Sequence, residues 1–181
     1  HMGWAEYGEG EEMIAVAGHL DVVAGGDGWT VCEPFDPIIR DGKMFGRGTM
    51  DNKGPIVISL FALKALIDEG FAPKKRIRIL MGCDEENGSG CMKYYCSNGG
   101  EAPVAGFTPD ASFPLIQGEK GYMKLVLSKT FTQSTGWKLV NIQGGVAPNV
   151  VPQYAKAEIL TDDKREVIEA DGISAHASTP Q

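Results

Sequence analysis

MIAVAGH, residues 13–19, is a short unbroken apolar run that stops on Gly18-His19. Apolar residues at consecutive positions, not alternate ones, describe a strand covered on both faces, as in a parallel sheet packed between helices. Chemistry then starts where the strand ends, at His19-Leu20-Asp21. A second run, Ile79-Leu80-Met81, follows the basic stretch Lys74 to Arg78 and delivers Asp84-Glu85-Glu86 at its carboxyl end. Between the two, Gly54-Pro55 opens IVISLFALKALIDEG: proline suits a first helical turn, the apolar residues recur at helical spacing, and Gly70 ends the segment. Cys91 to Ser97 reads as a further helix, and Val104 to Thr108 as a short strand reaching Pro109-Asp110. Strand, helix, strand in alternation predicts an α/β fold with a parallel-type sheet and flanking helices, whose ligands gather beyond the carboxyl ends of the strands.

Residues outside this pattern organise differently. Ala24 to Asp51 is Gly-rich and broken by Pro34 and Pro37, which predicts an ordered loop. From about Gly118 the texture becomes antiparallel: Tyr122 to Ser128 alternates, Gly144-Gly145 marks a turn, and Val150 to Leu160 reads as one strand. The expected division is therefore residues 1–117, an α/β domain, and residues 118–181, an antiparallel α+β domain. Ten residues separate Leu160 from Asp171, too few for a crossover helix and a return strand. Residues are expected to be missing around Thr161 to Ala170.

The chain has 181 residues, 43% hydrophobic and 23% charged, an ordinary globular composition that excludes disorder and low-complexity readings. Lys and Arg number 17 against 24 Asp and Glu, for a formal charge of −7, which argues against nucleic acid as principal partner. No apolar run approaches the roughly 20 residues that span a bilayer, so no membrane partner is expected. Nothing at the N-terminus reads as a secretion leader, which favours a cytoplasmic setting, and His1-Met2 reads as a cloning scar. Cys32, Cys83, Cys91 and Cys96 lack metal-ligand or disulfide-scaffold spacing and read as reduced thiols.

Several acidic and imidazole groups fall on the predicted strand ends. His19 and Asp21, two apart on extended chain, suit a metal ligand and the carboxylate that orients it, since a ligating imidazole needs its other ring nitrogen engaged. Asp51 lies in a Gly-rich turn just before the helix, either as an N-cap or as a carboxylate able to reach two cations with its two oxygens. Glu85 and Glu86 are adjacent on a turn and point apart, so they can divide metal binding from proton transfer. Asp110 and His176 complete the set; His176 is flanked by small residues that would let a substrate backbone approach. Taken singly each has a bland reading, as a turn, a cap or a solvated side chain. Jointly they make a nitrogen-and-oxygen donor set suited to zinc, manganese or cobalt.

Five motifs in order, GHLDVV, GRGTMDNKGP, DEENGSG, FTPDASFP and GISAHASTP, resemble the two-metal zinc peptidase family that includes aminoacylases, carboxypeptidase G and succinyl-diaminopimelate desuccinylase, and most closely its peptidase V-like dipeptidases. The resemblance runs nearly end to end. It implies hydrolysis of dipeptides by metal-activated water, with two divalent ions, most naturally zinc. His19 and Asp110 would bind one ion, Glu86 the other, and Asp51 both, while Asp21 orients His19. Glu85 would be the general base that takes a proton from the attacking water and hands it to the leaving amine. Residues 1–117 would then belong to the catalytic domain and 118–181 to its lid, where His176 is implied to stabilise the oxyanion, across a dimer or after domain closure, and Asn149 to contact substrate.

The departures point to an internal fragment. Members of the family take a further metal-ligand histidine near the carboxyl terminus, and only Ala177 to Gln181 follow His176. The second metal site is therefore expected to be short of a donor and the chain's own activity impaired. Deacylation of N-acyl amino acids by the same centre, and a noncatalytic use of the fold, are the competing readings; Glu85 weighs against the latter. Phosphate binding at Gly46 to Gly54 fails for want of the P-loop spacing, and a serine hydrolase fails for want of a nucleophile elbow.

Overall fold

The computed structural model describes residues 1–26, 28–121, 123, 125–130, 136–145, 149–161, 164–177 and 179. The chain divides into two compact units, His1–Ile116 and Gln117–Gln181.

The first unit is built on a four-stranded sheet in the order β1 (Met2–Tyr7), β5 (Arg76–Gly82), β2 (Met13–His19), β6 (Ala105–Phe107). Strands β2, β5 and β6 run parallel, with Val16 opposite both Ile79 and Phe107. Helices α1 (Lys53–Asp68) and α2 (Gly90–Ser97) provide the crossovers. Side chains alternate across the sheet, so one face of β2 and β5 packs Met13, Ala15 and Leu80 against Tyr95 of α2, while the other packs Ile79 against Ile56 and Leu63 of α1. Both faces are thus covered, as the unbroken apolar runs require. Helix α1 ends on Gly70, whose φ of +77° is a conformation that disfavours any residue with a Cβ.

Strand β1 (Met2–Tyr7) is not anticipated by the sequence pattern and includes Met2 of the dipeptide read as a scar. It pairs antiparallel with β5 along its whole length, from Met2 opposite Gly82 to Tyr7 opposite Ile77. Long-range charge holds it there: Arg78 of β5, a buried residue, donates to Glu6 of β1, to the Tyr95 hydroxyl and to Glu101, and its guanidinium lies over the Trp4 ring. In the loop between β2 and α1, a small hairpin forms from β3 (Ile38–Arg40) and β4 (Lys43–Phe45).

The second unit contains a three-stranded antiparallel sheet in the order β10 (Arg165–Asp171), β9 (Tyr154–Thr161), β7 (Trp137–Gly144), and a two-stranded ladder of β8 (Val150–Val151) with β11 (Ala175–His176). Three sequence expectations are corrected here. Tyr122 to Ser128 forms no strand among its described residues; alternation is a local condition, and a strand exists only with a partner. Trp137–Gly144 is the strand instead, as β7, paired with β9 (Tyr154–Thr161). The span Val150 to Leu160 is split at Pro152, which lacks the N–H a ladder needs. Finally, the stretch expected to lack residues is a direct return: β10 (Arg165–Asp171) pairs antiparallel with β9, Leu160 opposite Arg165 and Tyr154 opposite Asp171. An adjacent antiparallel strand needs no crossover, so the interval is long enough. Among the described residues no helix is long and apolar enough to cross a membrane.

Candidate metal centre

Parallel strands end together, and in the first unit their carboxyl ends bring the acids and the imidazole to one place. His19 is the last residue of β2, Glu85 and Glu86 follow β5, Asp110 follows β6, and Asp51 precedes α1. His19 is 1% exposed. Its Nδ1 lies 2.8 Å from the backbone carbonyl of Asp21, a contact in which Nδ1 donates and which leaves a lone pair on Nε2. Nε2 faces three carboxylates: Asp51 Oδ1 at 3.0 Å, Asp110 Oδ2 at 3.4 Å and Glu85 Oε2 at 4.0 Å. None is aligned with it as a hydrogen bond, so Nε2 is a buried polar atom without a partner. A bare nitrogen among acceptors is costly in a folded protein, and a cation between them would satisfy all at once.

Donor atoms close enough to share an ion form two sets, His19 with Asp51 and Glu86, and His19 with Glu85 and Asp110, each with all atoms within 4.8 Å of one another. One imidazole with carboxylate oxygens fits a divalent first-row ion. Glu85, expected as a base, is by geometry also near enough to be a donor.

Electrostatics point the same way. Burial raises the pKa of Glu85, Glu86 and Asp110, and neighbouring carboxylates raise them further, with His19 opposing. Burial pulls the His19 pKa down, but the Asp21 carbonyl and the charges of Asp110, Asp21 and Asp51 outweigh it and raise it. The cluster is short of positive charge.

Asp21 behaves otherwise. Its carboxylate works against burial and still has a lowered pKa, because the backbone N–H groups of Glu85 and Glu86 donate to it at 3.1 Å each. Asp21 therefore contributes twice: its carbonyl holds the His19 ring, and its carboxylate holds the turn carrying the two glutamates. Its Oδ1 is also 3.4 Å from His19 Nδ1.

Asp51 is not the helix cap. That position belongs to Asn52, which makes no side-chain capping bond. Asn52 is fully buried and ties two strand ends together, accepting from the backbone N–H of His19 at 3.1 Å and donating to Pro109 O at 3.1 Å and Asp110 Oδ1 at 2.8 Å. A Cβ on Gly18 would collide with its amide oxygen and with Ile56. Lys53 reaches back to the Leu20 carbonyl at 3.2 Å. The sequence reading passed over Asn52, because asparagine beside a helix start reads first as a cap.

The other two expected site residues lie in the second unit. His176 pairs with Val150 in the β8–β11 ladder, and Asn149 accepts a backbone bond from Ala177 at 2.8 Å, so these two are neighbours.

The chain is similar to known proteins both in sequence and in fold. A Staphylococcus epidermidis protein named "Putative dipeptidase" is 39% identical over 165 residues, 89% of this chain and 35% of its own length. "Putative dipeptidase YtjP" of Bacillus subtilis is 38% identical over 169 residues, 92% of this chain and 36% of its own. Among solved structures, human carnosine dipeptidase 1 matches with a TM-score of 0.51 and 27% identity over 61% of this chain and 25% of that one. Dug1p, a di-peptidase of Saccharomyces cerevisiae, matches with a TM-score of 0.50 and 26% identity, over 60% and 25%. The chain thus spans about 35% of the length of the curated relatives it matches. The pattern of peptidase family M20/M25/M40 matches residues 15–177, a span that takes in every clustered residue from β2 onward, and the chain belongs to that family.

Proposed function

We propose that this chain carries the metal-binding part of a hydrolase that cleaves dipeptides, with zinc, manganese or cobalt as the ion. The observation that carries this reading is the His19 Nε2 atom, buried, unpartnered and surrounded by carboxylates. Bound divalent ions polarise a scissile carbonyl and lower the pKa of water toward about 7. The protein's own groups do the rest. The Asp21 carbonyl holds the His19 ring, and Asp51, Asp110 and Glu86 offer oxygens. Glu85, whose side chain is about half exposed, is open to solvent and takes the proton of the attacking water. It then passes that proton to the leaving amine as the C–N bond breaks, so the proton count closes. In the second unit, His176 is assigned to the developing oxyanion and Asn149 to the substrate, on the family resemblance. The partner is a small peptide, the setting is cytoplasmic, and pairing of two chains belongs to the same reading.

The test is release of amino acids from a panel of dipeptides by the chain in its natural full-length context, with and without chelator. Turnover is expected to stop on chelation, and Glu85→Ala to slow it about 10²–10⁴-fold, as loss of a general base does. Chelator-insensitive turnover would overturn the mechanism, and cleavage of N-acyl amino acids alone would move the substrate to the deacylase class.

A further inference from the structure

Asn52 does more than join strand ends. Its amide sits in one orientation only: turned over, its NH₂ would face the His19 N–H, and its oxygen would face the Pro109 carbonyl and the Asp110 carboxylate. Both N–H donors are thus spent, one of them on Asp110 Oδ1 at 2.8 Å. That bond leaves Asp110 with Oδ2 as the oxygen turned toward the cluster, 3.4 Å from His19 Nε2. Asp21, by contrast, lies outside both donor sets, and both of its oxygens accept from backbone N–H groups. A hydrogen bond to one oxygen thus fixes which oxygen Asp110 turns toward the cluster.

We propose that Asn52 is a positioning residue that holds Asp110 as a one-oxygen ligand, and so favours an ion of low coordination number, such as zinc or cobalt. This rests on the metal reading of the same site. No other side chain of this size both accepts from His19 N–H and donates twice. Asn52 is 0% exposed, so no water replaces a lost donor cheaply.

Asn52→Asp is the informative change. It preserves shape and the acceptor toward His19 but removes both donors and sets a second carboxylate against Asp110. On charge alone, an added carboxylate near the site would tighten cation binding; loss of positioning weakens it. Titration of the metal-free full-length protein with Co²⁺, followed by calorimetry and by the visible absorption of the bound ion, is expected to show affinity lowered about 10–100-fold. The absorption should also weaken as coordination number rises. In an Asp110→Ala background the same substitution should cost little, because the residue acts through Asp110. Asn52→Ser carries the same cycle if Asn52→Asp does not fold. Unchanged or tighter Co²⁺ binding by the variants, or equal losses with and without Asp110, would overturn the positioning role while leaving the metal site standing. Absence of Co²⁺ binding by the parent chain would overturn the metal reading and this inference with it.

Discussion

Strands β5 and β7 have comparable apolar content, RIRILMG against WKLVNIQG, and opposite surroundings. In β5 the residues Arg78, Ile79, Leu80 and Gly82 are buried, whereas every residue of β7 is exposed. The first unit lays a helix on each face of its sheet, so apolar side chains on both faces of β5 find cover. No helix occurs among the described residues of the second unit. Apolar content thus does not decide burial; the layer above it does. The contrast extends to the candidate residues. In the first unit they hang from strand ends and a helix start locked by a packed core, while Asn149 and His176 hang from a ladder of two-residue strands, the kind of element that opens at low cost.

The sharpest way to break this comparison is the same substitution in both sheets. Ile79 is 1% exposed and Ile142 of β7 is 69% exposed. Ile79→Ala is expected to cost about 2–5 kcal/mol, the range for emptying a packed site, and Ile142→Ala to stay within about 0.5 kcal/mol. Urea denaturation of the two variants checks both, and equal losses would mean that β7 is covered as thoroughly as β5.

A smaller effect separates the units by pH. Hydrogen bonds from Arg78, and then Arg76, hold the Glu6 pKa below its ordinary value of 4.5 despite opposing burial. A carboxylate with a depressed folded pKa adds stability that is complete above its unfolded pKa and lost as pH falls through the folded one. The stability difference between the parent and Glu6→Gln should therefore be full near neutrality and shrink below about pH 4.5. A difference that is constant with pH would show that β1 is held by packing and backbone pairing alone.

The smallest effect lies at the alkaline end, in the second unit. Tyr154 donates to Glu169 Oε1 at 2.6 Å across the β9–β10 hairpin, and that bond pushes its pKa up to about 12. Here the folded pKa is raised, so the contribution is present below the ordinary value of 10.0 and lost as pH rises through about 12. Ultraviolet titration should find one tyrosine ionising late, and Glu169→Gln should return it toward 10.0. Both partners are exposed, so little stability should follow.

Much of the first unit was legible because its signals are local. Consecutive apolar residues mark β2 and β5, Pro55 and Gly70 bracket α1, and the acids follow the strands directly. Strand β1 escaped because what holds it, Arg78 on Glu6 and Trp4, lies about seventy residues away in the chain. In the second unit alternation misled, since Tyr122 to Ser128 has the right period, yet β7 is the strand that pairs with β9.

The sequence alone determined the succession β2, α1, β5, α2, β6 in the first unit and the identity of the groups at their ends, because period and punctuation act over a few residues. Tertiary structure alone decided that the Asp21 carbonyl, nearer than its carboxylate, engages His19 Nδ1, that Asn52 clamps Asp110 instead of capping a helix, and that Nε2 is left bare. Those outcomes depend on which N–H groups of distant segments lie beside each carboxylate, Glu85 and Glu86 at Asp21 and Asn52 at Asp110, and no local pattern carries that information.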